Sequence, residues 1–544
     1  MGSSGVTIIV ANTVFTGTRT LRPGAICIEG GRILATTTPD EARTRFPGAR
    51  VADYGDAFAC PGFHDAHMHF FHSALYASDL AESYLGESEA DCVARLAPLA
   101  QRRPDGWLLT QGWREYRWNP AVLPNKHSLD AAYPDRPVAM YSGDAHTLWL
   151  NSCALERLGI GPESVPPAGG SYDKDENGEL TGIIREAAAM DLMPRIIDGF
   201  TTEELAGAYV DFIATLNARG ITSICDMSLM AQPGLDFVRD DLYTALEQTG
   251  ELTVRVHMFP TLLDSLERLK RMQAEYTGPR LRACGFKQFF DGVSSQHTAW
   301  LAEPYSNARF DGDCGRPTVD PASMRSMVMS AAAEGYAVRI HTIGDEAIHQ
   351  ALDIFEEAIG AYGQPAHGRH CLGHLENFQP DDIARTGKLG VVASVQPPHI
   401  TLDPGGPERD LGPERVKYMW PFATLEATGA QLAFGTDSPV VESDPMAVLY
   451  TAVTRKDAAT QMPEGGWLPE ERIGIEAALR ASTYGPAVTC GREHELGTLE
   501  EGMLADIAIL DRDLLSEHVE RNPELILSTQ AVATYIGGDR VFER

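Results

Sequence analysis

The sequence predicts an α/β protein whose main domain is a closed (β/α)8 barrel of the TIM type, accompanied by a small β-sandwich and a cap. Through the middle of the 544-residue chain, helical patterns alternate with short apolar runs at residues 220–226, 252–258, 285–291, 336–341, 391–396 and 431–437. Repeated alternation of this kind is typical of parallel βα units. The number of units favours a closed barrel over an open sheet.

The two ends of the chain carry a different pattern. Apolar runs at residues 7–10 and 25–28 are separated by Gly-Gly and Pro-Gly turns, and residues 505–511 and 532–538 again read as strand, turn and strand. Short strands punctuated by such turns indicate small antiparallel sheets. We therefore predict that residues 1–58 and 491–544 together form one β-sandwich domain.

The rest of the chain divides into a barrel and an insertion. We assign residues 59–79 and 201–490 to the (β/α)8 barrel. Residues 80–200 interrupt the alternation with loops, prolines and tryptophans. We predict that this insertion caps the active site.

Composition limits the classes of partner. The 76 acidic and 45 basic residues give a formal net charge of −31, which repels nucleic acid and anionic membrane surfaces. No run approaches the ~20 apolar residues of a membrane span. Nine cysteines without a Cys-x-x-Cys spacing fit free thiols in a reducing compartment. We expect a cytoplasmic protein that acts on a small molecule and binds neither nucleic acid nor membrane.

The most informative motif is the run at residues 61–69, which places His67 and His69 one residue apart at the end of an apolar strand. Side chains alternate faces along a strand, so both imidazoles point the same way and can bind one metal ion. Two nearby histidines are also common as surface or core residues. The downstream pattern has to decide between these alternatives.

Further polar residues stand at the carboxyl ends of the predicted strands. These ends form the mouth of a barrel, where active sites assemble. Together with His374 in the run 372–376, the candidates are His67, His69, Lys287, His341 and Asp437. Imidazoles and a carboxylate form a ligand set for Zn²⁺, and a bound ion brings the pKa of water near ~7. We expect hydrolytic chemistry with Asp437 as the general base.

These residues resemble the amidohydrolase superfamily and, within it, the family 3 amidohydrolases similar to N-substituted formamide deformylase. The resemblance covers nearly the whole chain. It rests on residues 61–69, Gly112-Trp113, 134–138, 144–146, Lys287 with Asp291-Gly292, 341–345, His374, 435–439 and 497–506. Taken together these motifs are specific, although each alone is weak.

The resemblance implies a binuclear centre with two Zn²⁺ per chain. In this family the lysine at the position of Lys287 is carboxylated by CO₂ and bridges two metals. By that analogy His67, His69 and Asp437 hold the first ion, and His341 and His374 hold the second. The alternative for Lys287 is an ion pair with Asp291, which would leave a site for one metal. The family also implies a homodimer.

Four residues are candidates for substrate binding. By resemblance His146 lies over the active site. We expect His399, which follows Gln396-Pro397-Pro398, to line the pocket in a similar way, and Trp113 to offer an apolar wall for a substrate group. Packing within the protein is the alternative for each of them. His297 stands in the run 295–299, where relatives commonly carry an arginine. Without that guanidinium, recognition of a substrate carboxylate there is disfavoured.

The sequence thus predicts a metal-dependent amidohydrolase that cleaves an amide, formamide or N-acyl C–N bond by metal-activated water. The same fold also serves hydrolytic deaminases and ester or lactone hydrolases, so these reactions stay open. A non-catalytic binding relative is a third alternative. It predicts lost ligands, whereas every ligand position here is filled.

Overall fold

The computed structural model describes residues 5–143, 146–167, 170–229 and 236–544. The described residues before 62 form seven strands: β1 (Thr7–Ala11), β2 (Thr13–Phe15), β3 (Thr20–Leu21), β4 (Gly24–Glu29), β5 (Arg32–Thr37), β6 (Arg50–Asp53) and β7 (Phe58–Pro61). The next group is β8 (Phe63–Met68), β9 (Ala81–Ser83), β10 (Leu108–Trp113), β11 (Val138–Ser142), β12 (Thr147–Leu150), β13 (Gly170–Lys174) and β14 (Leu180–Glu186). The remaining strands are β15 (Ile221–Met227), β16 (Arg255–Phe259), β17 (Leu281–Ala283), β18 (Phe286–Phe289), β19 (Val338–Thr342), β20 (Cys371–His374), β21 (Val392–Val395), β22 (Leu432–Phe434), β23 (Ile507–Leu510), β24 (Ala531–Ile536) and β25 (Asp539–Glu543).

Helices separate these strands. Nine of them, in chain order, are α1 (Pro39–Arg45), α2 (Phe70–Ala77), α3 (Glu89–Arg102), α4 (Lys126–Ala132), α5 (Ser152–Arg157), α6 (Ala187–Ile197), α7 (Thr202–Ala218), α8 (Asp240–Thr249) and α9 (Glu267–Glu275). They continue as α10 (Pro321–Ala333), α11 (Asp345–Tyr362), α12 (Pro380–Lys388), α13 (Gly406–Arg415), α14 (Phe422–Ala427), α15 (Pro445–Thr454), α16 (Ile475–Ala481), α17 (Tyr484–Thr489) and α18 (Glu517–Arg521). Within the described ranges, no helix is both long and apolar enough to cross a membrane.

Two compact units can be distinguished. The first unit comprises Met1–Phe70, Ile213–Val238 and Gly250–Arg544, and the second comprises Phe71–Phe212 and Arg239–Thr249. The predicted limits of sandwich, barrel and cap stay predictions.

The first unit contains two parallel sheets, with strand orders β17-β16-β15-β8 and β18-β19-β20-β21-β22. All six residues of β8 are buried, as are those of β15 and β19, which is typical of parallel strands covered on both faces. Two isolated parallel bridges each join a strand of one sheet to the segment that follows a strand of the other: Met68 of β8 with Ser438, and Lys287 of β18 with Thr261. The α/β fold is therefore established. The predicted ligands lie in or just beyond these strands: His67, His341 and His374 in the last two residues of β8, β19 and β20, His69 and Asp437 after β8 and β22, and Lys287 as the second residue of β18.

Both chain ends meet in a six-stranded sheet of order β25-β24-β23-β7-β2-β3 in the same unit. β23 pairs antiparallel with β7, with Ile507 opposite Pro61. A second sheet has the order β5-β4-β1-β6. One buried cluster draws side chains from both sheets, among them Ile9, Ile26, Ile507 and Ala533. The N- and C-terminal segments therefore share one hydrophobic core, which explains why both carry the same short strand pattern.

The second unit is built on a mixed sheet of order β13-β14-β12-β11-β10-β9. β9, β10 and β11 pair in parallel, whereas β12, β13 and β14 add antiparallel strands. Its core includes Leu96, Trp113, Val138 and Trp149. The segment that the sequence presents as loops, prolines and tryptophans is thus an ordered layer with its own core.

Candidate metal centre

His67 and His69 meet Asp437 at the ends of β8 and β22. The backbone N–H of Asp437 donates to the carbonyl of His67 at 2.7 Å, and that of His69 donates to the carbonyl of Ser438 at 2.9 Å. These bonds hold the two segments side by side. Asp437 Oδ1 consequently lies 3.1 Å from His69 Nε2 and 3.4 Å from His67 Nε2. Three donor atoms from segments about 370 residues apart converge on one point.

Two further histidines lie against this group. The rings of His341 on β19 and His374 on β20 have centroids 4.3 Å apart, and the His374 ring lies 5.0 Å from that of His67. His374 Nδ1 is 4.0 Å from Asp437 Oδ2. The structure therefore brings together the four histidines and the aspartate that the sequence predicts as metal ligands.

Lys287 on β18 is buried beside them. Burial lowers the pKa of its ammonium group to about 7, aided by the Arg339 guanidinium and opposed by the Asp437 carboxylate. Burial also lowers the pKa of His67, His341 and His374, and the Lys287 charge adds to that effect for all three. Lys287 is thus an electrostatic neighbour of both predicted metal positions.

Asp291, the alternative partner of Lys287, is engaged elsewhere. Its carboxylate accepts backbone N–H bonds from Ile343 at 3.0 Å, Gly344 at 2.7 Å and Trp300 at 2.9 Å. Within the described residues it makes no ion pair with Lys287. Asp291 therefore fastens the segments that follow β18 and β19.

Hydrogen bonds orient two of the imidazoles. His69 Nδ1 lies 3.1 Å from the carbonyl of Met227, and His341 Nε2 lies 3.3 Å from the carbonyl of Gly292. A carbonyl only accepts, so these nitrogens carry the protons. Such backbone partners are typical of metal-binding histidines, because they leave the other nitrogen with its lone pair.

The charge states fit a divalent cation. Burial alone would raise the pKa of Asp437, but His67, His69 and His374 hold it well below its usual range. The His67 and His374 imidazoles, with pKa values well below the usual range, stay neutral at pH 7. The buried His67 Nε2 makes no hydrogen bond among the described residues. Neutral imidazoles, an ionised carboxylate and an unsatisfied lone pair are what a metal requires.

Two ligand positions have an unusual backbone. His374 has φ of +70° and Asp437 has φ of +57°, although neither is glycine. This left-handed conformation costs about 1–3 kcal/mol at non-glycine residues and persists where the surroundings enforce it. The strain falls on two predicted ligands, in agreement with a functional site.

His399, predicted to line the pocket, is close to the candidate ligands. Its ring lies parallel to that of His374 with centroids 6.2 Å apart, and His374, His399 and Asp437 form a second group of converging donor atoms. His399 Nε2 is buried and makes no hydrogen bond among the described residues. This ring nitrogen therefore has an unused hydrogen-bonding capacity beside the candidate ligands.

His297 is held by its own segment. Its Nδ1 lies 2.6 Å from Asp313 Oδ2, and its ring stacks on Tyr305 with centroids 4.1 Å apart. Both His297 and Asp313 are buried. The carboxylate fixes the ring orientation, while the substrate-binding role stays a prediction.

The other two substrate-binding candidates belong to the second unit. His146 Nδ1 lies 2.8 Å from Glu186 Oε2, and the preceding Asp144 and Ala145 of its motif lie outside the described residues. Trp113 is buried, donates from Nε1 to the carbonyl of Met140 at 2.8 Å and contacts Trp149. These contacts agree with core packing for Trp113. The predicted roles of both residues in binding stay predictions.

Asp65 is a site residue that sequence reasoning missed. Its Oδ1 accepts the backbone N–H of His67 at 3.0 Å and that of Thr436 at 3.1 Å, and its Oδ2 accepts the Thr436 hydroxyl at 2.6 Å. The sequence signal is the acid two residues before His67. Its role depends on Thr436, which only the tertiary structure brings near.

Comparison with known proteins identifies relatives of this chain in sequence and in structure. Residues 50–542 match the family model described as the amidohydrolase family. The chain is 27% identical over 544 residues to Protein LONG AFTER FAR-RED 3 of Arabidopsis thaliana, covering 98% of this chain and 91% of that protein. It is 25% identical over 562 residues to N-substituted formamide deformylase of Arthrobacter pascens, covering 99% and 98%. An uncharacterized metal-dependent hydrolase from Pyrococcus horikoshii OT3 superposes with a TM-score of 0.77 at 26% identity, covering 94% and 99%.

Proposed function

This chain belongs to the amidohydrolase family of metal-dependent hydrolases, and on that premise we propose that it cleaves the C–N bond of a small amide, formamide or N-acyl compound. The observation that carries the proposal is the convergence of His67, His69 and Asp437, with Asp437 Oδ1 at 3.4 and 3.1 Å from the two imidazoles.

We propose two Zn²⁺ ions in this centre. His67, His69 and Asp437 would hold one, His341 and His374 the other, and a carboxylated Lys287 would bridge them. A buried amine with a pKa of about 7 supports the bridge, because much of it is uncharged at neutral pH and its lone pair can attack CO₂. The product is a carbamate whose oxygens can bind metal, whereas an ammonium group has no lone pair to donate.

A bound divalent ion supplies polarisation of the substrate carbonyl and a lowered pKa for water. Asp437 would take the proton from the attacking water and return it to the leaving nitrogen, since its neighbours keep it ionised. His399 Nε2 would hydrogen-bond the substrate beside His374. The neutral imidazoles of the other ligands would bind the metal without changing the net charge of the centre.

The relative named N-substituted formamide deformylase supports an N-formyl or N-acyl substrate. The segment around His297 supports an uncharged substrate. His297 is hydrogen-bonded to Asp313, and the run 295–299 contains no arginine where relatives commonly carry one. An imidazole paired with a carboxylate offers no bidentate site for a substrate carboxylate. We therefore favour neutral amides and formamides.

We further propose that the two parallel sheets close into one barrel through the Met68–Ser438 and Thr261–Lys287 bridges. The two terminal sheets, which share a buried cluster, would form the β-sandwich. A homodimer is proposed from the family resemblance. Size-exclusion chromatography with light scattering tests the homodimer directly.

Product detection separates the proposed reaction from its alternatives. Purified enzyme, loaded with zinc in the presence of bicarbonate, is incubated with matched panels of N-formyl amines, N-acyl amines, aminated heterocycles, esters and lactones. Release of an amine together with formate or another acid is expected. Ammonia released from the heterocycles alone would indicate a deaminase, and turnover of esters or lactones alone would also refute C–N cleavage. Failure of all panels in a metal-loaded protein would favour a binding function.

The metal count tests the bridge. Mass spectrometry counts all the zinc in the chain, so the test is a difference: a Lys287→Gln variant is expected to hold at least one zinc ion fewer than the wild-type chain. Added formate or acetate is expected to restore part of the activity of a Lys287→Ala variant, since a carboxylate can replace the carbamate. Lys270→Gln, which removes a half-buried surface lysine that pairs with Glu334, is the matched control. An unchanged metal count in Lys287→Gln would remove Lys287 from the centre.

A further inference from the structure

A second group of metal-ligand side chains lies apart from the proposed hydrolytic residues. It consists of His64 on β8, Cys225 on β15, His257 on β16 and Cys490, which follows α17. All four side chains are buried, and one donor atom from each lies within 4.8 Å of the others. None of the four belongs to the proposed binuclear centre. We propose that this Cys₂His₂ cluster binds a single divalent thiophilic cation of the zinc class in a structural role.

The distances between donor atoms fit a tetrahedral ion. Cys225 Sγ lies 3.4 Å from Cys490 Sγ and 3.5 Å from His64 Nε2. Around an ion with bonds of about 2.3 Å to sulfur and about 2.0 Å to nitrogen, the edges of a tetrahedron are about 3.8 Å between sulfurs and about 3.5 Å between sulfur and nitrogen. These two distances therefore lie within a few tenths of an ångström of the tetrahedral values, and all four donor atoms lie within 4.8 Å of one another. Two thiolates with two imidazoles are a characteristic closed zinc set.

The fourth ligand is oriented by the backbone. His257 Nδ1 lies 3.1 Å from the carbonyl of Ile224, to which it donates, so Nε2 carries the lone pair. In this structure that lone pair accepts from Arg492 Nη1 at 3.1 Å. A metal ion would take over the lone pair, and Arg492 would keep its bonds to the Pro279 carbonyl at 3.1 Å and to Glu495 Oε1 at 2.7 Å.

Charge balance favours the metal-bound state. Burial raises the pKa of both thiols, so the empty cluster holds them protonated. One divalent ion displaces two thiol protons and forms two metal–sulfur bonds, which leaves the buried cluster without net charge. The Arg339 guanidinium, with Nη2 3.7 Å from Cys225 Sγ, also stabilises the sulfur anion.

The ion would join three strands to the C-terminal part of the chain. β8, β15 and β16 are neighbours in one parallel sheet, while Cys490 comes from the segment that leads to the terminal strands. Four protein ligands leave no open position for a substrate, which is the hallmark of a structural site. Because β8 also carries His67, the ion would brace the strand beneath the hydrolytic centre.

Cobalt separates this site from the hydrolytic centre, whose proposed ligands contain no sulfur. The full chain, produced in cobalt-supplemented medium, is expected to show thiolate-to-cobalt charge-transfer absorption in the near ultraviolet. The band should disappear in a Cys225→Ser/Cys490→Ser variant and persist in Cys27→Ser/Cys60→Ser, which removes two other buried thiols. A wild-type protein without the band, or a band that survives the first double substitution, would overturn the proposal.

The wild-type zinc protein provides a test that does not depend on how the variants fold. X-ray absorption at the zinc edge should detect sulfur at about 2.3 Å, in addition to the nitrogen and oxygen of the hydrolytic centre. A purely nitrogen and oxygen shell would refute the structural site. So would a disulfide between Cys225 and Cys490 in protein purified under reducing conditions. Neither measurement depends on hydrolytic activity.

Discussion

Asp65 Oδ2 accepts a 2.6 Å hydrogen bond from Thr436 Oγ1 across 371 residues of sequence. The other oxygen of Asp65 accepts the backbone N–H groups of His67 and Thr436. One buried carboxylate therefore joins the strand of the first two candidate ligands to the segment that carries Asp437. Asp65 acts through these neighbours, so it is a positioning residue.

Replacing Asp65 should loosen the metal centre. Asp65→Ala leaves two buried N–H groups and one hydroxyl without their acceptor, and each unsatisfied group costs about 1–3 kcal/mol. We expect a loss of several degrees in Tm and a large fall in zinc content, measured by calorimetry and mass spectrometry. Thr436→Val removes the hydroxyl that donates to Asp65 and accepts the Ser438 N–H, but it leaves both backbone bonds to Asp65 in place, so it should have a smaller effect in the same direction. Full zinc content in Asp65→Ala would contradict the positioning role.

Asp437→Asn tests the general base. The amide retains one oxygen as a ligand but cannot accept the proton of the attacking water, so kcat should fall by about 10²–10⁴-fold. We expect much of the metal to remain. Glu442→Gln is the control on the same segment, because this exposed acid pairs with Arg219 at the surface. Comparable kcat values for Asp437→Asn and wild type would remove Asp437 from the proton transfer.

Gly435→Ala should damage the site by steric conflict alone. A Cβ at residue 435 would lie 2.5 Å from the backbone nitrogen of His67 and 3.0 Å from Asp65 Oδ1. The first atom is backbone, and the second is fixed by the N–H groups of His67 and Thr436, so His67 or Asp437 must move. We expect lower zinc content and destabilisation by about 1–3 kcal/mol.

The matched substitution is Gly207→Ala in α7. An added Cβ there meets no atom within 4 Å, and alanine favours a helix by about 0.5–1 kcal/mol over glycine. This variant should be neutral or more stable, with unchanged zinc. Equal zinc content in both glycine variants would show that the 435 position does not constrain the ligands.

The sequence predicts the metal ligands better than their surroundings, for a physical reason. His67, His69, Lys287, His341 and Asp437 are found through the rule that parallel strands end at one edge, and this rule needs no tertiary detail. The structure brings these residues together. The periodicity of the buried strands also predicts the α/β fold, because β8, β15 and β19 are almost continuously buried.

Sequence rules of this kind do not predict the role of a residue whose hydrogen-bond partner lies far away in the chain. Asp65 obtains its role from Thr436, and Asp291 from the backbone of residues 300 and 343–344. The sheet of the second unit is not predicted either, because it joins short parallel and antiparallel strands whose sequences show no regular period. Trp113 illustrates the ambiguity of aromatic residues, since its buried contacts agree with the packing alternative.

His370 should make the fold sensitive to acid. Its buried ring stacks on Phe355, with centroids 4.5 Å apart, and Nδ1 accepts the backbone N–H of Val338 at 3.2 Å. Burial lowers its pKa to about 4. Between about pH 6.5 and 4 the unfolded chain binds the proton and the folded chain does not. The stabilising contribution is complete above pH 6.5 and is lost as the pH falls through this window, by about 3 kcal/mol at most.

Denaturant unfolding at pH 7 and pH 5 measures this effect. The free energy of unfolding should fall less between the two pH values in His370→Gln than in wild type, because glutamine accepts the Val338 bond but takes up no proton. His494→Gln, which changes a largely exposed histidine, should follow wild type. Chelator-treated protein is used throughout, so that metal release does not contribute to the pH dependence. An equal fall in His370→Gln and wild type would show that His370 charges as readily in the folded protein as in the unfolded chain.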